Sequence, residues 1–260
     1  MSYLNEIDAW KISLILMCMT MLFTWFGYKL GNYKLSNQKQ NIALDSSISI
    51  GSISGLLFLL LAFTFSMSVS RYDTRRQIII EESNKISTAL LRADLYPEKE
   101  RLLFRNDFKQ YIEARINYYK AGIDTKKIKH SNTQSQSISS RLWKRASLLS
   151  HDISNTDATR QMIPALNEMF DITTTRSSAE KAKVPDSIIW LLFILASITS
   201  FFSGYFSTLK GKTDWLIEFV FCLMISITIL FIFDLDRPYR GFVTLDESNR
   251  SIIELRNYFN

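Results

Sequence analysis

The stretch Ser49–Ser70 reads SIGSISGLLFLLLAFTFSMSVS, and Arg71–Arg76 follows as RYDTRR. Not one of the residues from Ser49 to Ser70 carries a charge. At about 1.5 Å per residue such a run is long enough to cross a hydrocarbon core of about 30 Å. Lipid offers the backbone no hydrogen-bond partner, so the run must be helical. Charged, helix-favouring residues continue from Arg71 without Gly or Pro as far as Leu95-Tyr96-Pro97. The same helix therefore runs on past the bilayer, carrying Ile79, Ile86 and Leu90 at helical spacing.

Working outward, three more windows of similar length are nearly free of charge inside: Ala9–Leu30, Asp186–Ser207 and Asp214–Phe233. The chain is 47% hydrophobic with a formal net charge of +6, and the two kinds of residue are segregated into blocks. The first window lacks a basic n-region and a small-residue cleavage site, so it reads as a retained helix and not as a signal peptide. The expectation is an all-α integral membrane protein. Residues 1–70 hold membrane helices one and two, 71–185 a cytoplasmic helical domain, 186–234 helices three and four, and 235–260 a cytoplasmic tail. Cys18 and Cys222 both sit in apolar windows, where they read as buried small hydrophobes rather than a disulfide.

Four crossings place both termini and 71–185 on one side. Lys and Arg near the helix ends favour that side: Lys11, Arg71, Arg75, Arg76, Arg176, Lys181, Lys183, Arg237 and Arg240, against Lys29, Lys34, Lys39, Lys210 and Lys212. The positive-inside bias puts the domain and both termini in the cytoplasm, and the expected location is the inner, or plasma, membrane. Within 71–185 a helix is expected over Glu98–Lys120 with Leu102, Leu103, Phe108, Ile112 and Ile116 on its apolar face. Gly122–Gln136 is polar and reads as a loop. Further helices follow over Ile138–Ser150 and from Asn155 or Thr156, the latter carrying Asp157 in its first turn and Pro164 as a kink or early-turn residue.

Catalytic chemistry is hard to find. There is no GxGxxG, Walker A, HExxH or CxxC, and His130 and His151 are the only histidines. His151 has Asp152 beside it, but adjacent residues on a helix do not face each other. Both histidines read as surface residues, so no catalytic residue, metal site or cofactor is expected and an enzyme is disfavoured. Glu218, in the first turn of the fourth membrane helix, reads as snorkelling to the interface. The basic run Lys126-Lys127-x-Lys129 reads as a solvated loop, with no nucleic-acid partner.

The second helix carries most of the functional information. Gly55, Leu59 and Phe63 form one stripe, and Ser52, Ala62, Ser66 and Ser70 form a small, polar stripe beside it. Small residues suit close helix packing, and they equally suit the lining of a pore.

The segment Leu61–Tyr72, in which a short apolar run leads to Arg71 and an aromatic residue, resembles the second helix of bestrophin channels. A longer set of features is similar to the bestrophin-like domain family of bacterial membrane proteins: Arg71–Arg76, Glu81–Ile86, Pro164–Asp171 and Asp234–Gly241. The resemblance covers about Gly51 to Leu255. It implies a homo-oligomer, pentameric in bestrophins, with self, membrane lipid and permeating ions as partners and this helix around a central pore. Alignment on Arg71 makes Gly55, Leu59 and Phe63 the pore neck, flanked by Ser52, Ser66 and Ser70. Gly55 departs from the apolar pattern and would widen the neck. Arg71, Asp234, Asp236, Pro238 and Gly241 carry the family motif. Its sparse acids argue against a calcium clasp and for a structural turn in which an Arg holds Asp236. The expected function is an ion channel. The 21 Lys and Arg against 14 Asp and Glu in 71–185 lean it towards anions. The alternative is a non-conducting scaffold or signalling protein whose cytoplasmic helices bind a partner or lipid.

Overall fold

The computed structural model describes residues 7–37, 45–209, 214–237, 239 and 241–259. Every regular element among them is helical: α1 (Ala9–Asn37), α2 (Asp45–Arg92), α3 (Glu98–Lys120), α4 (Thr125–Leu149), α5 (Thr156–Lys181), α6 (Asp186–Leu209), α7 (Trp215–Leu235) and α8 (Asp246–Glu254). Short 3-10 turns follow at Ala93–Leu95, Ile153–Asn155 and Leu255–Phe259. Four of the helices are long and apolar enough to cross a membrane. The chain forms two compact units, one of 1–71 with 183–237 and one of 72–182 with 238–260.

In the first unit α1 packs on α6 and α7. Its core includes Leu16, Leu57, Leu61, Leu192, Ala196 and Ile225. Glycines permit the α1–α6 approach. A Cβ on Gly27 would lie 1.9 Å from the Phe201 carbonyl oxygen, and one on Gly204 would lie 2.0 Å from that of Thr24. Gly31 completes a GxxxG pair on α1, its Cβ position 2.8 Å from the Tyr205 carbonyl oxygen. This is the small-residue packing that membrane helices use, since lipid supplies no hydrophobic drive for association. At the start of α7, Asp214 accepts from the amides of Leu216 and Ile217, satisfying two donors the helix itself leaves open.

The second unit holds the lower part of α2 with α3, α4, α5 and α8 around Ile86, Leu90, Phe104, Phe108, Leu142 and Met162. Two expectations change here. The polar stretch expected as a loop over Gly122–Gln136 is mostly helix. Only 122–124 turns, with Gly122 at φ 55° and Asp124 capping α4 through the amides of Lys126 and Lys127. The inward face of α4 is Ser131, Ser135, Ile138, Leu142 and Ala146, so its first turns bury serines where sequence reasoning looks for large apolar residues. On α3 the buried face runs Phe104, Phe108, Tyr111, Ile112 and Ile116, whereas Leu102 and Leu103 are exposed. Pro164 sits inside α5.

Candidate functional site

In the first unit α2 buries one line of residues, Leu57, Leu61, Thr64 and Ser68, spaced 4, 3 and 4 apart and none more than 4% exposed. At about 100° per residue the opposite sector holds Gly55, Leu59, Phe63, Ser52, Ser66 and Ser70. All six are exposed in the single chain, Leu59 by 51% and Phe63 by 60%. A Cβ on Gly55 would meet nothing within 4 Å. Gly55, Leu59 and Phe63 thus stand outside the hydrophobic core of their own unit. In the second unit α2 exposes Asp73, Gln77, Glu81 and Asn84.

The base of this apolar stretch is tied down. Arg71 Nη1 lies 3.5 Å from Asp236 Oδ1, and the Val184 amide donates to Asp236 Oδ2 at 2.9 Å. Asp236 is 6% exposed. One carboxylate therefore joins α2 to the segment entering α6 and to the C-cap of α7. Next to it Arg237 donates to the Ile7 carbonyl and stacks 5.2 Å from the Phe233 ring. Asp234 is buried in the last turn of α7. Of the remaining motif residues, Pro238 lies outside the described residues. Gly241 has φ 110°, a backbone region that L side chains rarely adopt.

The second unit has a buried polar centre that sequence reasoning missed. Glu82 of α2 is fully buried, and its two carboxylate oxygens receive Arg115 of α3 and Arg176 of α5, the latter at 2.7 Å. Arg176 also reaches Glu180 at 3.0 Å and Asn249 of α8 at 2.9 Å. Tyr118 and Tyr239 both donate to Glu180. Burial alone would raise the Glu82 carboxyl, but the Arg115 and Arg176 guanidiniums overcome it and lower the pKa to about 2. A carboxylate so held stays charged at neutral pH and does not shuttle protons. Nearby, Arg75 is 2% exposed and donates to the carbonyls of Ala179 and Ala182, where the negative end of α5 favours a cation.

Three smaller expectations also change. Glu218 does not snorkel. It is 6% exposed and accepts from Ser203 Oγ at 3.0 Å, because the first turn of α7 faces α6. Cys18 is exposed, pointing away from the bundle, while Cys222 is buried beside Thr24. His130 stands on α4 and not in a loop. Among the described residues no three His, Cys, Asp or Glu side chains gather as metal ligands.

Apolar helices of membrane-spanning length, one of them running on into a polar helical unit, define a class of helical membrane protein. The Bestrophin-like domain profile matches residues 46–249, and the chain belongs to that family. Its fold is similar to a mutated form of a bacterial bestrophin homolog from Klebsiella pneumoniae, with a TM-score of 0.60 and 14% identity over 95% of this chain and 98% of that one. No curated protein matches its sequence.

Proposed function

We propose that the protein is a homo-oligomeric ion channel of the inner membrane, assembled as a pentamer with α2 of each subunit lining a central pore. Both termini and residues 71–185 face the cytoplasm in this reading. The observation that carries it is the unpacked face of α2. Gly55, Leu59, Phe63, Ser52, Ser66 and Ser70 share one sector, and none of them serves the packing core of its own unit. Leu59 and Phe63 form the dry neck, Gly55 widens it, and the serines wet the approaches.

The net positive charge of 71–185 leans the channel towards anions. The exposed residues of α2 in the second unit oppose that lean, because they include Asp73 and Glu81. Screening limits charges to roughly 8–10 Å, so groups beside the ion path outweigh the net charge of the domain. The local reading is therefore weak cation preference.

The test is a planar bilayer holding the purified protein under a potassium chloride gradient. A reversal potential displaced towards the potassium potential supports the local face, and one towards the chloride potential supports the domain charge. The non-conducting scaffold predicts no current from a protein that is folded and assembled. A monomer in detergent would sink the pore reading outright.

A further inference from the structure

A cavity of about 480 Å³ opens in the second unit between the last turn of α3 and the first turns of α4. That size falls within the range of about 300–1,000 Å³ seen for small-molecule sites. From α3 come Asn117 and Lys120. The turn at Gly122 and the Asp124 cap start α4 at Thr125, and helical spacing then sets Lys126, Lys127 and His130 along the cavity wall. Lys127 has Asp124 at 3.6 Å, whereas Lys120 and Lys126 have no ion-pair partner among the described residues.

Ser131 and Gln134 complete the wall. Ser131 is 3% exposed, yet its hydroxyl makes no hydrogen bond among the described residues. Its helix neighbours behave differently, since Thr133 bonds back to the Lys129 carbonyl and Ser135 to that of Asn132. Serines and threonines within a helix commonly satisfy themselves in that way. A hydroxyl without a hydrogen bond on a buried serine, with Lys120, Lys126 and Lys127 on the same cavity wall, is suited to a compact anion rich in acceptor oxygens.

Lys120 follows Tyr118 and Tyr119, whose hydroxyls donate to Glu180 and Asp246. Glu180 lies two residues before the chain leaves this unit at Ala182. Through Tyr118 the last turn of α3 is thus tied to the last turns of α5 within the second unit. Basic pockets in membrane proteins can hold the phosphate of a lipid headgroup.

We propose that this cavity binds a phosphate group, carried by an anionic lipid or by a soluble phosphate compound. The ammonium groups act as point charges on the phosphate oxygens, and Ser131 donates a hydrogen bond from below. The proposal does not depend on whether the protein conducts.

Two arms test it on the full-length protein in neutral detergent. One titrates pyrophosphate by calorimetry. The other counts phosphatidylglycerol against phosphatidylcholine adducts by native mass spectrometry. Each is repeated with Lys120→Gln/Lys126→Gln, with Ser131→Ala, and with Lys99→Gln/Lys109→Gln as an equal change of charge on α3 outside the cavity. Saturable binding is expected in at least one arm, weakened about tenfold or more by the cavity pair and unchanged by the control pair. Ser131→Ala should weaken it by a smaller factor. Pyrophosphate binding identifies a soluble compound, and phosphatidylglycerol retention alone identifies a lipid. No saturable binding in either arm, or equal loss in the cavity and control pairs, overturns the proposal. All the substituted lysines are exposed, and coincident melting curves exclude misfolding as the cause of a loss.

Discussion

Asp236 holds two partners at once, Arg71 at 3.5 Å through one oxygen and the Val184 amide at 2.9 Å through the other. The first residue ends the charge-free run of α2, and the second precedes α6. A single carboxylate thus fixes the base of the candidate pore helix against the start of another membrane helix.

Losing that carboxylate should cost more than losing its cationic partner. Asp236→Ala removes both interactions and leaves a buried amide unpaired, a loss of about 2–3 kcal/mol. Arg71→Ala leaves Asp236 its amide and, at 3.5 Å, gives up the weaker contact. Thermal unfolding of the two variants in one detergent orders them, and a larger shift for Arg71→Ala would contradict the assignment.

Glu82 should make stability acid-sensitive. Its pKa falls from 4.5 to about 2 on folding, so its contribution is complete above about pH 4.5 and disappears as pH drops through 2. Such a shift corresponds to stability on the order of 3 kcal/mol. Glu82→Gln should lose most of it at pH 7 by leaving Arg115 and Arg176 without their shared anion. Melting temperatures at pH 7, 4 and 3 check the sign: wild type should fall towards the variant and the gap should narrow.

Glycines on α1, α2 and α6 should separate by role. Gly204→Ala forces a Cβ to 2.0 Å from the Thr24 carbonyl oxygen, so α1 and α6 must part, with marked loss of monodisperse protein. Gly55→Ala meets nothing within 4 Å and should hold or gain stability by about 0.5–1 kcal/mol, the usual helix preference for Ala over Gly. Yield and melting temperature of the two single variants decide it.

The neck predicts a gain of function. Replacing Leu59 and Phe63 together by Ala should widen a dry constriction and raise conductance or open probability while the oligomer stays intact. If these side chains instead pack against another subunit, truncation should cost about 2–5 kcal/mol and open nothing. Single-channel current and oligomer mass, measured on the same preparation, separate the two.

The four membrane helices and the overrun of α2 were legible because a charge-free run of membrane length has one solution in lipid. The helices over Glu98–Lys120 and Thr156–Lys181 were legible from punctuation: Pro97 before the first, Asn155 and Asp157 at the start of the second. That an Arg holds Asp236 was implied by the family motif, but that the Arg is Arg71 came only from the structure. The first turns of α4 were not, because a face of Ser131 and Ser135 looks like solvent-exposed polarity until something covers it. The burial of Glu218 was hidden for a related reason, since position within a helix does not tell which neighbour the first turn faces.

Composition and periodicity alone therefore determined the helical class, the number of helices long and apolar enough to cross a membrane and the stripe Gly55–Leu59–Phe63 along one side of α2. Tertiary structure decided which of its faces is left unpacked, which carboxylate holds which guanidinium, and that Gly27, Gly31 and Gly204 lie at one helix contact. The division is physical. Solvation of a segment depends on its own residues, so the demands of lipid and water on side chains and backbone can be applied locally. Pairing across helices depends on which residues distant in sequence are brought within a few ångströms, and no local rule contains that distance.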